Sequence, residues 1–153
     1  MSITAWRITK HKHAKTAFNG SGARKYGGRW NSPGTAIVYA AETQSLAVLE
    51  MLVHVEQPDL LQDYVLIGVT ISEGLMETLD QTQLPRNWRS AIPSLPLRAL
   101  GDKWAAEQSS VALRVPSALV PAESNFLLNP AHIDFQKLVI GDPVDFAFDE
   151  RLV

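Results

Sequence analysis

Arg-Trp-Asn-Ser-Pro-Gly (29–34), Thr-Ala-Ile-Val-Tyr-Ala-Ala (35–41), Glu-Thr-Gln (42–44) and Ser-Leu-Ala-Val-Leu-Glu-Met-Leu-Val-His (45–54) follow one another without interruption, as loop, strand and helix. The β-branched and aromatic run Thr35 to Ala41 predicts a short strand with Ile37 and Tyr39 on one side and Val38 on the other. Thr43 or Ser45 offers an N-cap for the helix that follows. Leu46, Leu49, Glu50 and Val53 then fall on one stripe by helical spacing. Glu50 is the only ionisable side chain between Ser45 and Val53. A helix apolar all round is expected to be buried, so Glu50 is expected among core residues, where a charge needs a partner or a task.

Working outward, Ile3 to Ile8 reads as a first strand, with Trp6 and Ile8 on one face and Arg7 on the other, free to project into a cleft. Asn19 to Gly28 carries glycines at 20, 22, 27 and 28, which predicts an irregular loop able to approach a ligand closely. Its spacing matches neither a dinucleotide-fold fingerprint nor a P-loop. Gln57-Pro58-Asp59 is expected to end the Glu50 helix, and Tyr64 to Ser72 reads as a central strand. Pro85, Pro93 and Pro96 divide 73–109 into turns and short helices, with Asp102 to Gln108 the best helix candidate. Val111 to Val115 is a further strand, the polar, proline-bearing stretch from Pro116 to Asn125 is expected to be irregular, and Leu138 to Ile140 and Asp145 to Phe148 close the sheet. Strands and helices intersperse without regular alternation, so the expectation is one α+β domain over 1–153, with mixed or antiparallel sheets and flanking helices.

At 153 residues the chain is long enough to bury about two thirds of the surface its unfolded form exposes. A net charge of -2 argues against a dedicated nucleic-acid binder, since phosphate-dominated affinity needs a basic excess or stripe. The one basic concentration is local: Arg7, Lys10, Lys12, Lys15, Arg24, Lys25 and Arg29 share residues 7 to 29 with no acidic neighbour, either as a solvated loop or as a small anion site. No apolar run reaches the ~18 residues of a spanning helix. Cysteine is absent, which removes disulfides and thiol chemistry. The amino-terminal residues lack the apolar core of a secretory signal, so a cytoplasmic setting is expected. His11, His13, His54 and His132 show no metal-ligand spacing, and no metal is expected.

Arg29, Tyr39 and Glu50 would place a planar cation, an aromatic ring and a carboxylate in one cleft if loop, strand and helix converge. An arginine fork matches two phosphate oxygens, so Arg29 with Arg7 suits a pyrophosphate. Tyr39 could stack on a flat heterocycle, and Glu50 would face a centre that turns positive. Most glycosidases need two carboxylates because an alkoxide leaving group needs a proton. Nicotinamide leaves NAD already neutral, so one carboxylate plus binding groups could suffice for that N-glycosidic bond. Against this stand plainer readings: a structural Glu–Arg pair, Tyr39 as core, Arg29 capping a carbonyl, and Ser117 and Asn125 capping turns.

The residues carry a resemblance. Trp6-Arg7-Ile8, Gly27 to Gly34, Val38-Tyr39-Ala40-Ala41, Ser45 to Glu50 with His54, Leu113 to Ala118 and Asn125 to His132 closely resemble the RES domain, in the family's order and over nearly the whole chain. The resemblance implies an ADP-ribosyltransferase-like fold and the toxin of a type II toxin–antitoxin pair, partnered by an Xre-like helix-turn-helix antitoxin. It implies consumption of NAD as substrate, with no other cofactor, by hydrolysis, phosphorolysis or transfer of ADP-ribose to a protein acceptor. Carried over, Arg7 and Arg29 would hold NAD phosphate or ribose, Tyr39 the nicotinamide end, Glu50 would be the catalytic carboxylate and Ser117 the site serine, with Asn125 a weaker extension. Phe126 departs from an expected tyrosine. A homodimer within the toxin–antitoxin complex is compatible with the resemblance; direct nucleic-acid or membrane binding is not expected. Two rivals stay open: a non-catalytic nucleotide-binding or antitoxin-interaction module, and RNA cleavage, the latter disfavoured by the acidic pI of about 6.1.

Overall fold

A computed structural model describes residues 1–54 and 62–152. The expected helix stop at Gln57-Pro58-Asp59 lies outside the described residues. Among the described residues eight strands form one mixed sheet: β1 (Ser2–Lys10), β2 (Val38–Ala41), β3 (Tyr64–Ser72), β4 (Met76–Thr78), β5 (Ala112–Pro116), β6 (Ser124–Leu128), β7 (Val139–Ile140) and β8 (Val144–Phe146). Their order is β4-β5-β6-β2-β1-β3-β7, with β8 also on β3. Only β4–β5 is parallel among these pairings. Three α-helices among the described residues accompany the sheet: α1 (Ser21–Tyr26), α2 (Gln44–Leu52) and α3 (Leu95–Glu107). No helix among the described residues is long and apolar enough to cross a membrane.

Alternation along β1–β3 distributes the core. Ala5, Val65, Ile67, Val69 and Ile71 pack with Val38 and Phe126, whereas Trp6 and Ile8 join Tyr64, Leu46 and Phe148 on the other side. A third cluster sets Trp30, Ile37 and Tyr39 against Leu97 and Trp104 of α3, so Ile37 and Tyr39 do lie opposite Val38. The helix α3 comes unusually close: a Cβ added to Gly101 would sit 1.7 Å from the Trp30 carbonyl oxygen. Only glycine permits that approach.

Five expectations change. The Asn19–Gly28 segment is not wholly irregular, because Gly20 (φ 72°) and Gly27 (φ 78°), both at positive φ, bracket the short helix α1. Ser124–Leu128, expected as irregular backbone up to Asn125, is the strand β6, its polar start masking a buried Phe126-Leu127-Leu128. Pro96 does not break the chain but occupies the first turn of α3, where its missing N–H costs nothing and Ser94 Oγ caps the Leu97 amide at 3.3 Å. β3 is next to the sheet edge, flanked outward only by the short β7 and β8. The apolar stripe of α2 is not core throughout, since Leu49 is 43% and Val53 58% exposed. Leu46 and Ala47 bury the helix, and Glu50 is half-buried.

Candidate active site

The sheet creates the cleft by an incomplete pairing. β1 follows β3 along its whole length, from Ser2↔Ser72 to Lys10↔Tyr64, but meets β2 at a single register, Trp6↔Ala41. Beyond that bridge lies a cleft of about 1260 Å³, lined by Arg7, Ile8 and Thr9 of β1 and Tyr39 and Ala40 of β2. Arg29, Glu50 and Asn125 line it too, so five of the six expected site residues converge. Ser117 stands directly behind Glu50.

Glu50 is held at one oxygen. Its Oε1 accepts the Ser117 hydroxyl at 2.9 Å and the Asn125 amide at 2.7 Å. Oε2 takes no protein hydrogen bond among the described residues, and Glu50 forms no ion pair among them. Ser117 is fully buried, and its Oγ accepts the Leu119 and Val120 amides, each at 3.1 Å. Backbone N–H groups can only donate, so the single hydroxyl hydrogen is directed at Glu50. A ligand in the cleft therefore meets Glu50 and Asn125, not Ser117.

The arginines carry structural contacts as well as charge. Arg7 donates from Nε to Ala17 O at 2.7 Å and from Nη1 to Tyr39 O at 3.1 Å, tying the two sides of the cleft together. Burial pulls its pKa below the ordinary guanidinium value. Arg29 donates from Nη1 to Trp88 O (3.1 Å) and Ser90 O (2.8 Å) and from Nη2 to Ala91 O (3.4 Å). The carbonyl-capping reading of Arg29 is thus present in the fold, and it seats segment 88–91 on the cleft. Burial lowers the Arg29 pKa, with Glu50 and Tyr39 acting in the opposite sense, which places its charge near both.

Tyr39 is oriented by Asn31. Its hydroxyl donates to Asn31 Oδ1 at 2.5 Å and accepts the Trp30 amide at 3.1 Å. Asn31 is fully buried, and its Nδ2 donates to Ala23 O, Ser32 O and Thr35 O at 2.9, 3.1 and 3.0 Å. Gly28 is required beside it, since a Cβ there would lie 2.6 Å from the Tyr39 hydroxyl. Burial chiefly raises the Tyr39 pKa, so the phenol stays neutral. With the hydroxyl engaged, what Tyr39 offers a ligand is its ring. The sequence reading missed Asn31, Arg89 and Arg98, of which the two arginines line the cleft; the Asn-Ser-Pro-Gly turn at 31–34 was the available signal for the first. Phe126 is buried in the core under Arg114, 5.5 Å from its guanidinium carbon, and takes no part in the cleft.

Comparisons with known proteins bear on the family and the fold. A family model described as the RES domain matches residues 4–149. A protein of Photorhabdus laumondii named Toxin Res is 42% identical over 149 residues, covering 97% of this chain and 96% of its own. A protein of a Sphingobium species named Prs ADP-ribosylating toxin is 33% identical over 158 residues, covering all of this chain and 98% of its own. The crystal structure of the M. tuberculosis MbcT–MbcA toxin–antitoxin complex contains a chain of the same fold, with a TM-score of 0.76 at 20% identity, covering 99% of this chain and 87% of that one.

Proposed function

Because this chain belongs to the RES domain family, we propose that it is the toxin of a toxin–antitoxin pair and that its cleft cleaves the nicotinamide–ribose bond of NAD, by hydrolysis or phosphorolysis. The observation that carries this is Glu50 in the cleft with Oε1 fixed by Ser117 and Asn125 and Oε2 unengaged among the described residues. When the C1′–N bond breaks, its electron pair passes to the pyridinium nitrogen and nicotinamide departs neutral. The ribose becomes oxocarbenium-like, and a carboxylate already held in place lowers the energy of that charge without reorganising. Water or phosphate then forms the new C1′–O bond on the sugar and loses its proton to Glu50 or to solvent. Tyr39 presents its ring to the nicotinamide end, while Arg7 and Arg29 supply the positive field for the phosphates.

One relative's name favours a second acceptor. The Sphingobium protein is named an ADP-ribosylating toxin, so the same cleavage with a protein nucleophile in place of water is the alternative outcome. The partner expected on grounds of family is an antitoxin, of the Xre-like helix-turn-helix type. Following purified protein and NAD by NMR tests the proposal, because both reactions release nicotinamide. Label from NAD's ADP-ribose moiety remaining on a protein band would identify transfer. An unchanged NAD spectrum, with or without phosphate and candidate protein acceptors, would refute cleavage.

A further inference from the structure

Arg7 and Arg29 are the cations that the sequence assigns to a pyrophosphate, yet both already donate to backbone carbonyls. A third arginine lines the same cleft and does not. Arg98, on the first turns of α3, has no hydrogen-bond acceptor among the described residues, and its Nε is buried without a partner. The carboxylate one turn further on, Asp102, accepts the Ser32 amide at 2.9 Å and forms no ion pair with Arg98. No carboxylate among the described residues lies within ion-pair distance of this guanidinium.

Its position is fixed by the fold. Leu97 is fully buried and Gly101 abuts the Trp30 backbone, so α3 is pressed against the loop that bears Arg29. Arg98 therefore stands on the same wall as Arg29 and Tyr39. Both arginines are close enough to Tyr39 for their charges to oppose the rise of its pKa, Arg98 the more strongly. The Nε is closed to solvent and therefore to a ligand, which leaves the terminal guanidinium nitrogens of this cleft-lining side chain, without an acceptor among the described residues, as the donors a ligand would meet. The planar fork suits paired oxygens on phosphorus better than it suits a hydroxyl or a ring nitrogen.

We infer that Arg98 is a phosphate-binding residue of this cleft, receiving oxygens of the dinucleotide's pyrophosphate while Arg29 keeps segment 88–91 in place. The inference rests on the NAD-cleaving function proposed above. Arg98 does not touch the reacting carbon, so its loss weakens substrate binding and leaves the chemical step alone.

Steady-state nicotinamide release by the intact wild-type protein, Arg98→Met and Arg98→Lys tests this, with NAD and with nicotinamide riboside, which lacks the pyrophosphate. A hydrogen bond to a charged group corresponds to about 10- to 100-fold in affinity. R98M is expected to raise the KM for NAD by that factor, with kcat within a few-fold, an unchanged melting curve and an unchanged KM for nicotinamide riboside. R98K, which keeps the charge and loses the fork, is expected to raise the NAD KM several-fold, and it decides the matter should R98M fail to fold. An unchanged NAD KM in the folded variants overturns the inference and leaves NAD cleavage standing, as does an equal rise for both substrates. No nicotinamide release by the wild type would overturn the cleavage itself, and is distinguishable because it needs no variant.

Discussion

Replacing Ser117 with alanine removes one oxygen and disturbs three hydrogen bonds. The Oγ is fully buried, donates to Glu50 Oε1 at 2.9 Å and accepts the Leu119 and Val120 amides at 3.1 Å each. A neutral hydrogen bond contributes about 1 kcal/mol net and one to a charged group about 1.5–3 kcal/mol. Leu119 is 39% exposed, so water can reach the turn and replace part of what its amides lose. The expected destabilisation is therefore about 2–4 kcal/mol, which lowers the melting temperature by on the order of 10 °C in a chain of this size. Glu50 would be left with Asn125 as its sole hydrogen-bond donor, and kcat for nicotinamide release should fall about 10- to 100-fold with KM little changed. Calorimetric melting and NMR turnover of S117A read the two effects separately. Asn125→Ala should lower kcat similarly with a smaller loss of stability, because Asn125 makes no turn contacts. Because both donors share Oε1, the two variants should not combine additively. Wild-type turnover by a destabilised S117A would refute the idea that the hydroxyl positions Glu50, and a wild-type melting curve would refute the bonding pattern itself.

Gly101→Ala places a Cβ 1.7 Å from the Trp30 carbonyl oxygen, backbone that cannot step aside, and should cost about 3 kcal/mol or more; a wild-type urea midpoint would contradict the close helix approach. Tyr39→Phe leaves the buried Asn31 Oδ1 without its donor and should destabilise by about 1–3 kcal/mol at neutral pH, measurable by urea titration. The phenol also links stability to alkaline pH. Folded Tyr39 keeps its proton above the ordinary value of 10.0 whereas the unfolded chain releases it there, so the unfolded state binds fewer protons and stability falls as pH rises past about 10. Y39F should lack that component, seen as a shallower loss of stability with pH; parallel curves would contradict the burial of the hydroxyl.

Much of the fold was legible because strands advertise themselves by alternation. Tyr64–Ser72 was bounded correctly, and the opposite facings of Tyr39 and Val38 follow from period two alone. Gly20 and Gly27 concealed α1, since the residues that bracket a short helix are the ones that also signal a loop. The exposure of Leu49 and Val53 was hidden for another reason: spacing shows which residues share a face but not what that face meets. At the site, Arg29, Tyr39 and Glu50 were readable from succession and from the family resemblance. Their restraints were not. Asn31 under Tyr39 is a local effect of an Asn-Ser-Pro-Gly turn, while Ser117 and Asn125 on Glu50, and Arg98 beside Tyr39, depend on pairings across 59 to 75 positions that no local pattern encodes.

The central claim is that a carboxylate anchored at one oxygen steadies the ribose cation as nicotinamide leaves. Comparing Glu50→Gln with the wild type for nicotinamide release from NAD by NMR addresses it most directly, since the amide keeps the shape and loses the charge. The expected result is a fall in kcat of about 10²- to 10³-fold, with a melting curve close to that of the wild type. Release of nicotinamide by E50Q at the wild-type rate would contradict it.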